Sequence, residues 1–271
     1  MSASASSTRR FAGHWDELGE GPPMICLPGF ANSNWIFQKM FPALTPHFRL
    51  ILPDHRGMGR SPTTTAPYSI ADLATDAREL MDALGHERFL VLGLSMGGFV
   101  AQHLVLAAPE RVTGLALLCT TAGGPEFQRI FPVMSADQVR AIYLLEPQER
   151  ARLALDPTLL PRLHAEYPAL YQFLVEMRSR NPENVAEVMR QYEAVADFLA
   201  HPLPLESIRA PTLILAGEQD RLVPLENAEL LHAKIPGSRL EVIPETDHMF
   251  FLEKPEATAT ILRDFLITAS R

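Results

Sequence analysis

The sequence predicts an α/β protein: a mostly parallel, doubly wound sheet with an inserted helical cap. Three observations carry this reading. Short apolar runs alternate with helix-period segments, the alternation stops between residues 123 and 206, and Gly93-Leu94-Ser95-Met96-Gly97 stands where a strand turns into a helix.

The elements follow in order. Phe11 to Leu18 reads as an antiparallel edge strand, closed by the turn Gly19-Glu20-Gly21-Pro22-Pro23. Met24 to Leu27 and Phe48 to Leu52 are short apolar runs of the kind that fill buried parallel strands. Ile70 to Leu84 has helical periodicity, Phe89 to Leu92 is again strand-like, and Gly98 to Ala108 is a helix stopped by Pro109. Leu115 to Cys119, Thr212 to Ala216 and Leu240 to Ile243 supply the remaining strands, with helices over Leu225 to Lys234 and Pro255 to Thr268. Residues 123–206 contain no convincing strand and many prolines, which predicts several short helices. That stretch is too long for one crossover, so it reads as a cap over a core formed by 11–122 and 207–271. Residues 1–10 are small, polar and then basic, which predicts a poorly ordered start and not a secretory signal.

Composition narrows the function. With 271 residues the chain can bury a substantial core, and 32 acidic against 24 basic residues argue against a nucleic-acid partner. No apolar run reaches the roughly 20 residues of a membrane span. The two cysteines, Cys26 and Cys119, fall in apparent strands and read as buried thiols, which fits a cytoplasmic protein. No metal-ligand spacing and no phosphate-binding glycine motif is present, so neither metal nor cofactor is expected.

The chemistry begins at Ser95. A tight strand-to-helix turn strains its central residue and leaves room only for glycine two positions away on either side. Gly93 and Gly97 satisfy that need, and Ser95 stands at the carboxyl edge of the sheet. A serine hydroxyl needs a base held by a third group. Of nine histidines, His248 follows the last strand at the same edge, with His55 the competitor. Asp220 follows the strand Thr212 to Ala216 and is the preferred acid, with Glu218 and Asp247 as rivals. For an oxyanion, Met96 offers its N–H at the helix start and Phe30, after Gly29, offers a second. Val223 and Met249 flank acid and base and are candidate pocket walls, joined by Phe131, Met134 and Tyr143 from the cap. Cap arginines Arg129, Arg140 and Arg178 read as solvated helix charges more readily than as substrate contacts.

With these residues in place, the chain resembles the α/β-hydrolase superfamily, and within it small serine esterases, enol-lactonases and non-metal perhydrolases. The matching segments are Leu27-Pro28-Gly29-Phe30, Asp54 to Ser61, Gly93 to Gly98, Pro109-Glu110-Arg111-Val112, Gly217 to Pro224 and Asp247-His248. The resemblance implies that Asp54 to Ser61 is a structural loop. One departure is Pro28, where the family usually has histidine. Ser95 excludes the aspartate-nucleophile siblings, and Met249 stands where carbon-carbon bond hydrolases usually carry tryptophan. The expected activity is cofactor-free hydrolysis of short-to-medium apolar carboxylic esters through an acyl-enzyme. The alternatives are enol-lactone or carbon-carbon bond hydrolysis with the same triad, and a non-catalytic small-ligand binder on the same fold.

Overall fold

A computed structural model describes residues 11–127, 134–181 and 183–270. Seven strands form one sheet: β1 Trp15–Leu18, β2 Pro23–Leu27, β3 Arg49–Pro53, β4 Phe89–Leu94, β5 Val112–Leu118, β6 Thr212–Gly217 and β7 Arg239–Ile243. Their order across the sheet is β1-β3-β2-β4-β5-β6-β7. Only β1 runs antiparallel, with Trp15 opposite Pro53 on β3, and all other pairs are parallel.

Sequence pattern explains this arrangement. Every residue of β4 and β6 is buried, because helices cover both faces of a parallel sheet. Successive side chains alternate between two apolar layers. Leu90, Leu92 and Leu94 pack on one face with Leu262 and Leu266, while Phe89 and Val91 pack on the other with Leu80 and Leu104. The edge strand β1 is largely exposed and β7 partly so, and both sequences are more polar.

The core helices are α1 Ile70–Ala83, α2 Met96–Ala107, α7 Leu225–Lys234 and α8 Pro255–Ala269. A capping box between Ser69 and Asp72 fixes the start of α1. The strand predicted to end at Cys119 ends one residue earlier, since Cys119 turns to φ 42.

Between β5 and β6 lie α3 Ala136–Tyr143, α4 Pro147–Leu155, α5 Pro168–Arg180 and α6 Val185–Ala200. Pro147 and Pro168 occupy first-turn positions, where a missing N–H leaves no helical bond unmade. Helix α4 packs on α5, and α3 on α6. A small apolar cluster of Ala31, Met58, Val139, Tyr143, Val188 and Met189 joins these helices to the loops after β2 and β3. No helix among the described residues is long and apolar enough to cross a membrane. Residues 1–10 and the predicted wall residue Phe131 lie outside the described residues.

Candidate active site

The site is built on strain. Ser95, between β4 and α2, has φ 53 and ψ -117, a conformation that costs a non-glycine residue about 1–3 kcal/mol. Surrounding contacts enforce it. A Cβ on Gly93 would lie 2.5 Å from the Gly97 carbonyl oxygen, and one on Gly97 would overlap the Leu27 carbonyl. The Ser95 N–H donates to the Leu118 carbonyl (2.8 Å), and its own carbonyl accepts from the Gly98 N–H and the Thr120 hydroxyl. The helix and both neighbouring strands therefore fix the turn, and Ser95 Oγ stands at the carboxyl edge.

There it meets His248, whose Nε2 lies 3.1 Å from Ser95 Oγ. The other ring nitrogen, Nδ1, is 2.8 Å from Asp220 Oδ2. Asp220 is itself held: its Oδ1 accepts the N–H groups of Leu222 (2.9 Å) and Val223 (2.7 Å). The geometry thus joins Ser95, His248 and Asp220 in one chain of hydrogen bonds. Burial disfavours a charged His248, but the Asp220 carboxylate outweighs it and holds the ring well above the ordinary histidine range. Cys119 also adjoins the ring and adds to the rise, while burial pushes its own thiol pKa up.

The rival residues fall elsewhere. His55 is buried, which pushes its pKa down to about 4, so the ring is neutral and its Nε2–H donates to the Pro28 carbonyl (3.2 Å). It supports the loop after β2 and does not reach Ser95. Beside Pro28, a Cβ on Gly29 would stand 3.3 Å from both Ser95 Cβ and the Leu94 carbonyl oxygen, so the loop backbone lies against the serine. The N–H groups of Phe30 and Met96 find no protein acceptor among the described residues. Glu218 accepts the Glu245 N–H at an exposed position (2.8 Å).

Asp247 has a separate task. Fully buried, it accepts the N–H of Arg221 (2.9 Å) and of His248 (2.8 Å) at Oδ1, and pairs with Arg221 Nε (2.6 Å) through Oδ2. Arg221 also donates to the Leu159 carbonyl (2.6 Å), and the Met249 N–H to the Thr158 carbonyl (3.0 Å). The acid loop, the base loop and the inserted segment are thereby clamped together. A sequence cannot announce this pair, although Arg221 adjoins Asp220 and Asp247 adjoins His248.

A cavity of about 180 Å³ opens on Ser95 and His248. Met134, Tyr143 and Met249 line it, as does Phe30, and Ile36 and Phe251 complete its apolar floor. Val223 does not line it, and Leu222 takes the wall position. Arg178, read from sequence as a solvated charge, is instead only 4% exposed and lines the cavity, whereas Arg140 is exposed. Arg129 lies outside the described residues. Gln191 was not singled out by sequence, yet its Oε1 accepts the Ala31 N–H (2.6 Å) and steadies the loop beside Phe30. Among the described residues, no three His, Cys, Asp or Glu side chains converge as metal ligands.

A serine on a strained strand-to-helix elbow, followed along the chain by an acid and a histidine at the same sheet edge, defines the class of α/β hydrolases. The chain belongs to that family: the family model described as alpha/beta hydrolase fold matches residues 22–255. Among its relatives is a protein of Azorhizobium caulinodans named "Putative carbamate hydrolase RutD", 31% identical over 93% of this chain and 94% of that protein. A pimeloyl-[acyl-carrier protein] methyl ester esterase of Vibrio campbellii is 29% identical over 93% of this chain and 97% of its own length. The solved structure of a hydrolase from Pseudomonas aeruginosa superposes with a TM-score of 0.80 at 30% identity, covering 93% of each chain.

Two outcomes follow from this geometry. Replacing Asp247 with alanine leaves the backbone N–H groups of Arg221 and His248, and Arg221 Nε, without the carboxylate they donate to, and should destabilise the fold by about 2 kcal/mol in urea unfolding. Asp247→Asn, which keeps one acceptor oxygen, should recover part of that loss. Proton NMR titration of His248 should give a pKa above the ordinary 6.5, falling in Asp220→Asn, whereas a wild-type value at or below 6.5 would contradict the Asp220 contact.

Proposed function

We propose that the protein is a serine hydrolase of small carboxylic esters, working through an acyl-enzyme. The observation that carries this reading is the hydrogen-bonded chain Ser95–His248–Asp220, with 3.1 Å and 2.8 Å links. His248 Nε2 takes the Ser95 proton as Oγ attacks the ester carbonyl, and Asp220 stabilises the imidazolium that forms. The N–H groups of Met96 and Phe30 receive the oxyanion, helped by the positive end of α2. Collapse expels the alcohol, which takes the proton from His248. Water then enters, gives a proton to His248, attacks the acyl carbonyl and releases the acid with free Ser95.

Only unprotonated Nε2 can accept the Ser95 hydrogen, so turnover should fall as pH drops through the His248 pKa. Asp220 raises that pKa, which places the fall at higher pH than an isolated histidine would give.

Substrate size follows from the cavity. About 180 Å³ is small for a ligand pocket, and its lining is mainly apolar, which favours short acyl groups. We assign residues 123–206 the role of cap, since Met134, Tyr143 and Arg178 from this stretch wall the cavity against the sheet edge. Val223 leaves the proposed wall and Leu222 replaces it. The relative named as a carbamate hydrolase favours a second reading, because the same attack on a carbamate carbonyl would expel an amine in place of an alcohol.

A p-nitrophenyl ester series tests the proposal. Acetate to hexanoate should be cleaved, with rates falling beyond the chain length that fills the cavity. Ser95→Ala should lower kcat by roughly 10⁴-fold or more. Unchanged hydrolysis in that variant would remove Ser95 from the chemistry.

A further inference from the structure

Gly29 to Asn32 make a four-residue turn beside Ser95, closed by the Asn32 N–H donating to the Gly29 carbonyl (3.2 Å). The Gly29 carbonyl and the Phe30 N–H belong to one planar peptide, so the shape of this turn sets where that N–H points. The third residue, Ala31, is fully buried and has φ 49. Turns with a positive φ at their third residue favour glycine, because a Cβ is crowded there. Alanine keeps such a conformation only where its surroundings over-determine it.

Side chains hold both polar atoms of the central peptide, between Phe30 and Ala31. The Ala31 N–H donates to Gln191 Oε1 on α6 (2.6 Å), and the Phe30 carbonyl accepts from Asn32 Nδ2 (3.0 Å). Arg178 on α5 donates to Asn32 Oδ1 (2.8 Å), which turns Nδ2 toward Phe30. Two helices of the inserted segment therefore grip one peptide group of this loop. Gln191 is fully buried, and its Nε2 has no acceptor among the described residues. A half-satisfied buried amide costs stability, so packing does not account for it. Its engaged atom is the acceptor for Ala31. Without that acceptor the central peptide can rotate, which returns Ala31 to negative φ and changes the turn type.

We propose that Gln191 is a positioning residue for the reaction, holding the strained turn in the shape that aims the Phe30 N–H at the oxyanion. The inference rests on the serine-hydrolase reading and deepens it: helix α6 completes one half of the oxyanion hole from outside the catalytic core. Gln191 does not line the cavity, so it acts through the Ala31 N–H and not on substrate. Its loss therefore weakens the hold on the transition state more than on the bound ester.

The test starts from Gln191→Met, which keeps the length of the side chain and removes the acceptor. Its kcat on p-nitrophenyl acetate should fall roughly ten- to a hundredfold, short of the loss that follows removal of a whole donor, with KM changed by less than about threefold. Inhibition by a trifluoromethyl ketone, which Ser95 would convert to a tetrahedral oxyanion, should weaken by the same factor as kcat. The acid limb of the pH profile should stay in place, because the Ser95–His248–Asp220 chain is untouched. Adding Ala31→Gly should restore at least about fivefold of the loss, since glycine holds a positive φ without help. Gln191→Asn, one methylene too short to reach, should repeat the loss and carries the test should the methionine variant not fold. A kcat within about twofold of wild type in either variant would overturn the proposal. So would a loss that Ala31→Gly leaves unrepaired, which is the behaviour of a merely structural contact. Amide hydrogen exchange reads the turn without turnover, and the Ala31 N–H should exchange at least about tenfold faster in Gln191→Met. Faster exchange in a protein whose wild type cleaves no ester and binds no ketone would sink the hydrolase reading and leave the hold of Gln191 on the turn standing. Ester turnover with kcat, ketone inhibition and exchange all indifferent to Gln191→Met would sink this inference alone.

Discussion

Everything at the site depends on a backbone conformation that Ser95 would not adopt unaided. Its φ of 53 is held because β4 delivers it against the Leu118 carbonyl while α2 begins at the next residue. Gly93 and Gly97 are the condition for that geometry, since a side chain at either would strike the neighbouring backbone. The turn places Ser95 against the loop at Gly29 and starts α2 at Met96, the next residue. The proposed nucleophile and one of the proposed oxyanion donors, Met96, therefore come from one turn.

The other side chains reach Ser95 from loops that could wander independently, and a polar network prevents it. Asp247 binds the backbone on both sides of the acid–base pair, through the N–H groups of Arg221 and His248. Arg221 extends that hold to the inserted segment through the Leu159 carbonyl. From the opposite side, Gln191 and Arg178 bond the Ala31 to Asn32 stretch of the loop after β2. The inserted segment is thus fastened to both the loop after β2 and the loops that carry Asp220 and His248, and lines the cavity beside Ser95. For the proposed chemistry such a frame supplies preorganised groups, which is how electrostatic stabilisation of a developing oxyanion avoids reorganisation at the moment of reaction.

The parts legible in the sequence were those whose signal is local. Strands β2, β4, β5 and β6 announced themselves because burial on both faces makes them apolar throughout, and the elbow because its strain admits only certain residues. Ser95, Asp220 and His248 could be chosen because each follows a strand at the carboxyl edge, and the structure brings those three side chains together. The cavity wall was less legible. Leu222 and Val223 are adjacent, and both donate their N–H groups to Asp220, so only the folded loop decides which side chain reaches the cavity. Arg178 looked like a solvated charge because its partners Asn32, Tyr143 and Glu183 are distant in sequence and meet only after the helices pack. His55 kept its ambiguity until the fold placed it under Pro28.

The central claim is that Ser95 is a nucleophile activated by His248. Labelling with a fluorophosphonate followed by peptide mass mapping tests it most directly, since the reagent requires an activated hydroxyl and marks the residue that attacks. The account predicts a single adduct on Ser95, formed rapidly in wild type and slowed at least a hundredfold in His248→Ala. An adduct on another residue, or ester turnover in a protein that takes no label at Ser95, would contradict it.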